Sequence, residues 1–231
     1  DGRIGETTID RPLVLGHEIA GIVANGPRRG QRVAVEPADP CGTCPTCREG
    51  LGHLCPTTRF AGHGVTDGGL RTLMAWPSHL LEPIPDTIDD DDAALLEPLG
   101  VALHAIDLGK LGPDAAVAVV GCGPIGLLVI QALAARGIGR IDAIEPLAHR
   151  RAAALTCGAT RVSATLEADA EPVNVAFEAA GEDDAVRACV ELVRPGGRVV
   201  LVGIPAGEEM AVPASVARRK GLTLLLARRM P

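Results

Sequence analysis

Uninterrupted apolar runs alternate with amphipathic segments from about Leu111 onward. AAVAVVG is an apolar run that stops at a glycine, as is typical of a strand buried on both faces. PIGLLVIQALAARG follows with helical spacing and ends at Gly137, so it predicts a helix followed by a glycine cap. Further strands are predicted at RIDAIE, NVAFEAAG, GRVVLVGIP and LTLLLA, and further helices at PLAHRRAAALTCG and EDDAVRACVELVRPGG. This alternation predicts an α/β domain with a doubly wound parallel sheet.

Shorter apolar runs, interrupted by Gly and Pro, occupy the first part of the chain. PLVLG, AGIVA, QRVAV and LLEPIP each have the length of a short strand. They predict an irregular, mostly β region. The texture changes in the segment AIDLGKLG, residues 105–112. We therefore expect one domain over residues 1–108 and a second over 109–231.

Composition and charge narrow the class of protein. The chain has 231 residues, 47% of them hydrophobic and 22% charged, which is an ordinary globular composition. The formal net charge of −7 argues against a nucleic-acid partner, because backbone phosphates would be repelled. No apolar run approaches the roughly 20 residues that a membrane-spanning helix needs. Nothing signals secretion, so we expect a cytoplasmic protein with no membrane partner.

Four of the seven cysteines fall within CGTCPTCREGLGHLC, spaced C-x2-C-x2-C-x7-C. Tight Cys-x-x-Cys turns bring thiolates round one ion, and four sulfurs satisfy tetrahedral zinc with no open position. A disulfide framework would need an oxidising compartment, and an iron–sulfur cluster stays open because it also takes four cysteines. The spacing predicts a structural zinc lobe over residues 37–57, so the chemistry must lie elsewhere. The four predicted ligands are Cys41, Cys44, Cys47 and Cys55.

A second metal site is predicted from two separate stretches. VLGHEIAG offers His17 and Glu18 as adjacent ligands, and LLEPLGVALHA carries Glu97 at an otherwise apolar helix start. A buried carboxylate is costly unless it is paired or bound to a metal. A catalytic zinc takes about three protein ligands and keeps one open position. His17 and Glu18, with Glu97 as ligand or as partner of the bound water, nearly supply this set, although residues 1–16 contain no cysteine.

VVGCGPIG places Gly121, Gly123 and Gly126 between a buried strand and a helix, which is the dinucleotide-binding pattern. The helix N-terminus would face the pyrophosphate with its unpaired N–H groups. The next strand ends at Glu145, 19 residues beyond Gly126, where an acid can bond the adenosine ribose. An acid would repel a 2′-phosphate and so favours NAD over NADP. The basic residues 149–151 weaken that preference slightly.

Together these stretches resemble the zinc-containing medium-chain dehydrogenases, and within them the polyol branch of sorbitol, xylitol and L-iditol 2-dehydrogenases. DGRIGETTIDRPLVLGHE, VEPADPCGTCPTCREGLGHLC and LLEPLGVALHA carry the resemblance, in the family's order. It implies a GroES-like, mostly β catalytic domain followed by a Rossmann domain. It also implies a dimer or tetramer.

The resemblance assigns a role to each matching position. The four cysteines would hold the structural zinc, and His17, Glu18 and Glu97 the catalytic zinc. Arg229 falls where polyol dehydrogenases place a substrate-contacting arginine, but Met230 replaces the expected tyrosine. The implied coenzyme positions are Gly121, Gly123, Pro124, Ile125 and Gly126 at the pyrophosphate, Glu145 and Arg150 at the adenosine, and the backbone around Val202 and Ile204 at the nicotinamide.

The chain also departs from the family pattern, which makes us expect an incomplete chain. The family's first strands with their metal-binding cysteine, and its last strands and helix, would lie beyond the two ends. GIVANGPRRGQRV is short, and TRVSATLEADAEPVNVAF lacks most of a crossover helix. The predicted function is zinc-dependent hydride transfer from a secondary alcohol, expected to be a polyol, to NAD. The alternatives are a non-catalytic dinucleotide- and zinc-binding remnant, or an alcohol or L-threonine dehydrogenase.

Overall fold

The structure is a computed structural model that describes residues 3–4 and 7–230, and it divides into two compact units. One unit comprises Asp1–Gly100 with Arg229–Pro231, and the other comprises Val101–Arg228. The stretch DGRIGETTIDRPLVLGHE therefore lies partly outside the described residues. The division falls inside a helix, Leu96–Gly109. The domain limits 1–108 and 109–231 stay a prediction.

Short antiparallel strands form most of the first unit. β3, β4 and β7 make one sheet in the order β3-β4-β7, while β1 pairs with β2 and β5 pairs with β6. The strands are β1 (Arg3–Ile4), β2 (Thr7–Thr8), β3 (Ala20–Ile22), β4 (Arg32–Val35), β5 (Ala38–Asp39), β6 (Arg59–Phe60) and β7 (Leu81–Pro83). The helices are α1 (Pro45–Arg48), α2 (Asp90–Ala94) and the start of α3 (Leu96–Gly109), with 3-10 turns at Gly52–Leu54 and Ser78–Leu80.

The helix α2 is fastened to this sheet by polar contacts. The Asp89 carboxylate caps its N-terminus by accepting the Asp92 N–H at 2.8 Å. The Arg32 guanidinium, from β4, donates to the Ile88 carbonyl and to the Asp90 carboxylate, both at 2.7 Å. Only a small apolar core lies beneath, centred on buried Ala34, Ile84 and Ala93.

The strand predicted at PLVLG is wrong. Val14 donates its N–H to the Asp67 carboxylate at 3.0 Å, and Gly68 donates to the Val14 carbonyl at 2.7 Å. Gly16 has a φ of 95°, which lies outside the range of a regular strand. The segment is thus tied to the loop 67–70 instead of joining a sheet. The strands predicted in AGIVA, QRVAV and LLEPIP are present as β3, β4 and β7.

A six-stranded parallel sheet forms the second unit, in the order β10-β9-β8-β11-β12-β13. This is the strand order of the doubly wound Rossmann fold, with the order reversing between β8 and β11, so the predicted parallel sheet is confirmed. The strands are β8 (Ala116–Val120), β9 (Arg140–Ile144), β10 (Arg161–Ser163), β11 (Val173–Glu178), β12 (Val193–Leu201) and β13 (Thr223–Leu226). The helices are α4 (Pro124–Ala135), α5 (Ala148–Thr156), α6 (Asp183–Leu192) and α7 (Ala214–Lys220).

Both faces of this sheet are buried, as the continuous apolar runs predict. Because side chains alternate along a strand, Val117 of β8 packs into one core cluster and Ala118 into the other. Ile130 of α4 belongs to the first cluster and Val186 of α6 to the second. The two helices therefore cover opposite faces.

The connection between β10 and β11 contains no helix in residues 164–172, all of which the structure describes. The predicted lack of a crossover helix is confirmed. A cavity of about 270 Å³ lies at this place, lined in part by Leu166, Asp169 and Ala170.

Candidate active site and metal centres

His17, Glu18 and Glu97 come together in the first unit. Each offers a ligand atom, and these atoms lie within 4.8 Å of one another. His17 and Glu18 directly follow the segment that is bonded to residues 68–70, while Glu97 occupies the first turn of α3. Residues 79 positions apart in the chain are thus brought to one point.

The charges at this point favour a bound cation. Burial, reinforced by the neighbouring Glu18 and Glu36, raises the pKa of Glu97 to about 7. One imidazole nitrogen and two carboxylates are ligands that zinc accepts, and the ion would relieve the repulsion between the acids. A cavity of about 250 Å³ is lined in part by Glu18, which is exposed, so the cluster is open to solvent on the Glu18 side. The residues present therefore fit a zinc ion with an accessible position.

Phe60 links this cluster to the predicted substrate arginine. Its ring centroid lies 5.4 Å from that of His17, and the Arg229 guanidinium stands 4.7 Å above the same ring. Arg229 also donates to the His53 carbonyl at 3.4 Å, and its backbone has a φ of 55°. Sequence reasoning missed Phe60, because a lone aromatic after a loop carries no recognisable spacing.

Met230 packs against Gly100, one helical turn after Glu97. A methyl group at Gly100 would collide with the Met230 sulfur, so glycine at that position admits the side chain. Methionine thus occupies the place where the family resemblance leads one to expect tyrosine.

The four cysteines of the predicted lobe converge in the same unit. Their sulfurs lie within 4.8 Å of one another, with 4.0 Å between Cys41 and Cys47 and 3.9 Å between Cys44 and Cys55. Tetrahedral zinc with Zn–S bonds of about 2.3 Å places its sulfurs about 3.8 Å apart. These separations exclude disulfide bonds, which need about 2 Å. The geometry fits a closed four-thiolate zinc site.

Backbone N–H groups are aimed at these sulfurs, as a set of thiolate ligands requires. Cys44 donates to the Cys41 sulfur, Cys47 to the Cys44 sulfur and Cys41 to the Cys55 sulfur, each at 3.4 Å. Hydrogen bonds, first of all from the Thr43 N–H, lower the pKa of Cys41 to about 5. The Cys41 N–H likewise lowers the pKa of Cys55, whereas burial raises that of Cys47 to about 12.

The glycine loop predicted for a dinucleotide lies in the second unit, between β8 and α4. Gly121 has a φ of 95°, and a methyl group there would come within 2.8 Å of the Ala179 carbonyl carbon. A methyl group at Gly126 would collide with the Gly121 carbonyl. Gly123 caps α4, with Pro124 and Ile125 opening the helix, and space beside it is open. Backbone can therefore approach a pyrophosphate here.

Glu145 follows β9 and is only 3% exposed. Its two carboxylate oxygens accept the N–H groups of Cys122 at 2.9 Å and Leu147 at 3.0 Å. Each oxygen keeps a lone pair for a ribose hydroxyl. The Arg150 guanidinium, 46% exposed, lies 3.9 Å from the same carboxylate. Arg151 instead donates to the carbonyls of Glu145 and Pro146, both at 2.7 Å.

The turn after β12 contains the two residues predicted to meet the nicotinamide. Val202 is half-buried and donates its N–H to the Glu178 carbonyl at 2.8 Å, while the Ile204 side chain is 67% exposed. Sequence reasoning missed Glu178, which accepts this hydrogen bond. Its signal was present, because NVAFE ends an apolar run in an acid just as RIDAIE does.

Known families and structures match the chain over most of its length. The model "Alcohol dehydrogenase GroES-like domain" matches residues 1–86, and "Zinc-binding dehydrogenase" matches residues 124–229. Sorbitol dehydrogenase of Bacillus subtilis (strain 168) is 37% identical over 91% of this chain and 64% of its own length. The chain thus spans slightly under two thirds of that relative.

Two solved structures show the same fold. L-idonate 5-dehydrogenase of Escherichia coli superimposes with a TM-score of 0.93 and 28% identity, over 100% of this chain and 70% of that one. A zinc-binding dehydrogenase of Sinorhizobium meliloti 1021 bound to NADP has a TM-score of 0.88 and 31% identity, over 95% and 70%.

A GroES-like unit followed by a Rossmann unit, with two clusters of candidate metal ligands in the first and a glycine loop in the second, defines a nucleotide-dependent dehydrogenase fold. The chain belongs to the zinc-containing medium-chain dehydrogenases, in their polyol branch. The predicted family and fold class are confirmed. The roles of the individual site residues stay predictions.

Proposed function

We propose that this protein oxidises a secondary hydroxyl group of a polyol to a ketone, with NAD as hydride acceptor. The convergence of His17, Glu18 and Glu97 on one point carries the proposal, because it supplies a zinc ligand set beside an accessible cavity. These side chains would hold a zinc ion, which when bound would supply Lewis-acid chemistry that lowers the pKa of a substrate hydroxyl. Phe60, whose ring contacts that of His17, would limit the orientation of this ligand.

Arg229 supports a hydroxyl-rich substrate. Its guanidinium carries several N–H donors in a fixed plane and is held over Phe60, whose ring also contacts His17. Sugar hydroxyls accept such hydrogen bonds. The relatives named as sorbitol and L-idonate dehydrogenases support the same class. Simple alcohols and L-threonine are the competing substrates.

NAD is proposed over NADP because of Glu145. Its carboxylate stands at the end of β9, where adenosine ribose is expected, and would repel a 2′-phosphate. Arg150, partly exposed beside it, offers a counter-charge, and one relative was solved with NADP. Side-by-side titration with NADH and NADPH decides the preference, and tighter binding of NADPH would overturn it.

The test of the function begins with metal content. Elemental analysis of the dialysed protein should give two zinc ions per chain, one at the cysteines and one at His17, Glu18 and Glu97. His17→Ala should lower this to one, while the exposed His79→Ala should leave two. Sorbitol and xylitol, each with NAD, should then yield NADH with the unaltered protein and none with His17→Ala.

The opposite result supports the rival function. One zinc per chain, lost in Cys44→Ser, would mean that the cysteine site holds metal and the second cluster does not. Binding of NAD without turnover would then favour a non-catalytic dinucleotide- and zinc-binding module.

Assembly and location are proposals of the same kind. β13 lies at one edge of the parallel sheet, and its Leu226 is 78% exposed, which suits pairing of two copies into a dimer. No helix among the described residues is long and apolar enough to cross a membrane. A cytoplasmic location suits a site of four reduced cysteines. Sedimentation equilibrium would test the dimer, and a monomer at all concentrations would contradict it.

A further inference from the structure

Glu178 is a buried acid with no part in the chemistry described so far. It ends β11, next to the point where the strand order reverses, and is 0% exposed. Burial raises the pKa of this carboxyl group. Within the part of the chain that the structure describes, its Oε2 atom has no hydrogen-bond partner. Burying a carboxyl group with an unsatisfied oxygen costs free energy, so a structural or functional role for Glu178 is expected.

The side chain and the main chain of Glu178 hold two different turns. Its Oε1 atom accepts the N–H groups of Ala180 at 2.8 Å and Gly181 at 2.7 Å, in the turn between β11 and α6. Its carbonyl accepts the N–H groups of Val202 at 2.8 Å and Gly203 at 3.0 Å, in the turn after β12. One residue therefore fastens the turns that leave two neighbouring strands.

The turns at residues 179–181 and 202–204 also pack directly against each other beside the Glu178 carboxylate. A methyl group at Gly203 would lie 2.7 Å from the Glu178 Oε2 atom and would collide with the Gly181 nitrogen. A methyl group at Gly181 would collide with the Ile204 carbonyl. The backbone from Val202 to Ile204 thus has its position set by the turn that the carboxylate holds.

We propose that Glu178 is the positioning residue for the nicotinamide half of the coenzyme. Its carboxylate fixes residues 179–181, these fix residues 202–204, and that backbone forms the expected nicotinamide contact. The inference rests on the proposed function, because it requires a dinucleotide at the carboxyl edge of this sheet. Glu178 touches neither the substrate nor the coenzyme in this arrangement.

The adenosine half has separate supports, which makes the proposal testable. The Gly121 N–H donates to the Ile144 carbonyl at 2.9 Å, and Glu145 holds the Cys122 N–H at 2.9 Å. Neither bond uses Glu178. The Ala179 backbone does pack against Gly121, so the pyrophosphate loop is not wholly separate from this turn. ADP-ribose, which lacks only the nicotinamide, should therefore depend on the Glu178 carboxylate much less than NADH does.

The experiment compares NADH and ADP-ribose by isothermal titration calorimetry. Glu178→Met keeps a side chain of similar length but leaves the N–H groups of Ala180 and Gly181 without this acceptor. The Kd for NADH should rise about tenfold, and that for ADP-ribose less than about twofold. Glu178→Gln, which keeps an acceptor at Oε1, should restore NADH binding to within about threefold of the unaltered protein. Asp142→Asn, at a half-buried acid elsewhere in the unit, should change neither Kd.

Each other outcome counts against the positioning role. An equal rise in both Kd values would mean that Glu178 merely stabilises the fold, and an unchanged Kd for NADH would remove the role outright. If Glu178→Met does not fold, Glu178→Asp, which withdraws the carboxylate by one methylene, must show the same selective loss. An unaltered protein that binds neither ligand would overturn the proposed function itself, whereas binding of both with an unselective variant overturns only this inference.

Discussion

Glu145 and Glu178 lie at the carboxyl ends of β9 and β11, both buried and both accepting two backbone N–H groups. They differ in what stands beside them. Glu145 has the partly exposed Arg150 at 3.9 Å, whereas Glu178 faces two turns with glycine backbone. The first is therefore placed to meet a ligand, and the second to shape the backbone that meets it.

Replacing Glu145 by alanine should weaken NADH binding about tenfold, because a ribose acceptor and the bond to Cys122 are both lost. NADPH should lose less, since its 2′-phosphate no longer meets a carboxylate. Fluorescence titration with both coenzymes measures the two changes. Asp114→Ala, at an exposed acid before β8, serves as the control. Unchanged NADH affinity would refute the assignment of the adenosine end.

Asp142 should give the fold a defined dependence on pH. Burial tends to raise its pKa, but hydrogen bonds from Arg161 and Arg140 outweigh burial and lower it. Folding therefore favours the ionised carboxylate. Its contribution to the free energy of unfolding is present above the unfolded pKa of about 3.9 and is lost as pH falls through the lower folded pKa.

Asp142→Asn should accordingly lower the free energy of unfolding by about 1 kcal/mol at pH 7, since the half-exposed Arg161 is screened by solvent. The difference in free energy of unfolding between the variant and the unaltered protein should disappear in strongly acid solution. Urea unfolding of both proteins at a series of pH values measures this difference. Glu171→Gln removes an exposed acid that pairs with the same arginines, and it should cost far less. A gap that stays constant as pH falls would contradict the expectation.

At the scale of elements, sequence reasoning succeeded where burial leaves a pattern. β8, β9, β11, β12 and β13 are visible because strands covered on both faces are continuous apolar runs. PLVLG failed because its partner is Asp67, 53 residues away, a contact that no local pattern carries. The two clusters of candidate metal ligands could be predicted from residue type alone. Cysteine, histidine and glutamate indicate metal binding whichever secondary-structure element carries them.

The Lys220 side chain caps the C-terminal end of α6. From the last turn of α7 its ammonium donates to the carbonyls of Val190 at 3.1 Å, Glu191 at 2.5 Å and Val193 at 2.8 Å. These carbonyls lie at the C-terminal end of α6, where helical partners run out. Lys220→Met should lower the free energy of unfolding by about 1–3 kcal/mol. Urea unfolding measures it, with the exposed Arg219→Met as control, and equal effects of the two variants would contradict the role.

At the scale of the whole molecule, the two units should respond differently to loss of metal. The cysteine lobe buries little besides His53 and Cys55, so we expect its order to depend on a bound ion, whereas the parallel sheet has two apolar cores. A strong chelator, or Cys44→Ser, should abolish amide protection over residues 41–55. Hydrogen exchange read by mass spectrometry should find β8 and β11 unchanged.

The matched control for that experiment is Cys157→Ser, which alters a cysteine outside the lobe and should leave protection intact. Uniform loss of protection over both units would show that the lobe is not a local element. Retained protection after metal removal would count against structural zinc.

The division into units itself could not be foreseen. Composition places a boundary near residues 105–112, but Arg229 and Met230 belong with the first unit. Their contacts, to Phe60 and to Gly100, join positions separated by the entire second unit. No hydrophobic periodicity in residues 101–228 indicates that the chain returns to the first unit at Arg229.

That return has a consequence for synthesis on the ribosome. Domains fold largely as they emerge, N-terminal first. Phe60 and the residues around His17 leave the exit tunnel long before Arg229, because the whole Rossmann unit is translated between them. The first unit therefore cannot form the contact between Arg229 and Phe60 until the second unit has been translated.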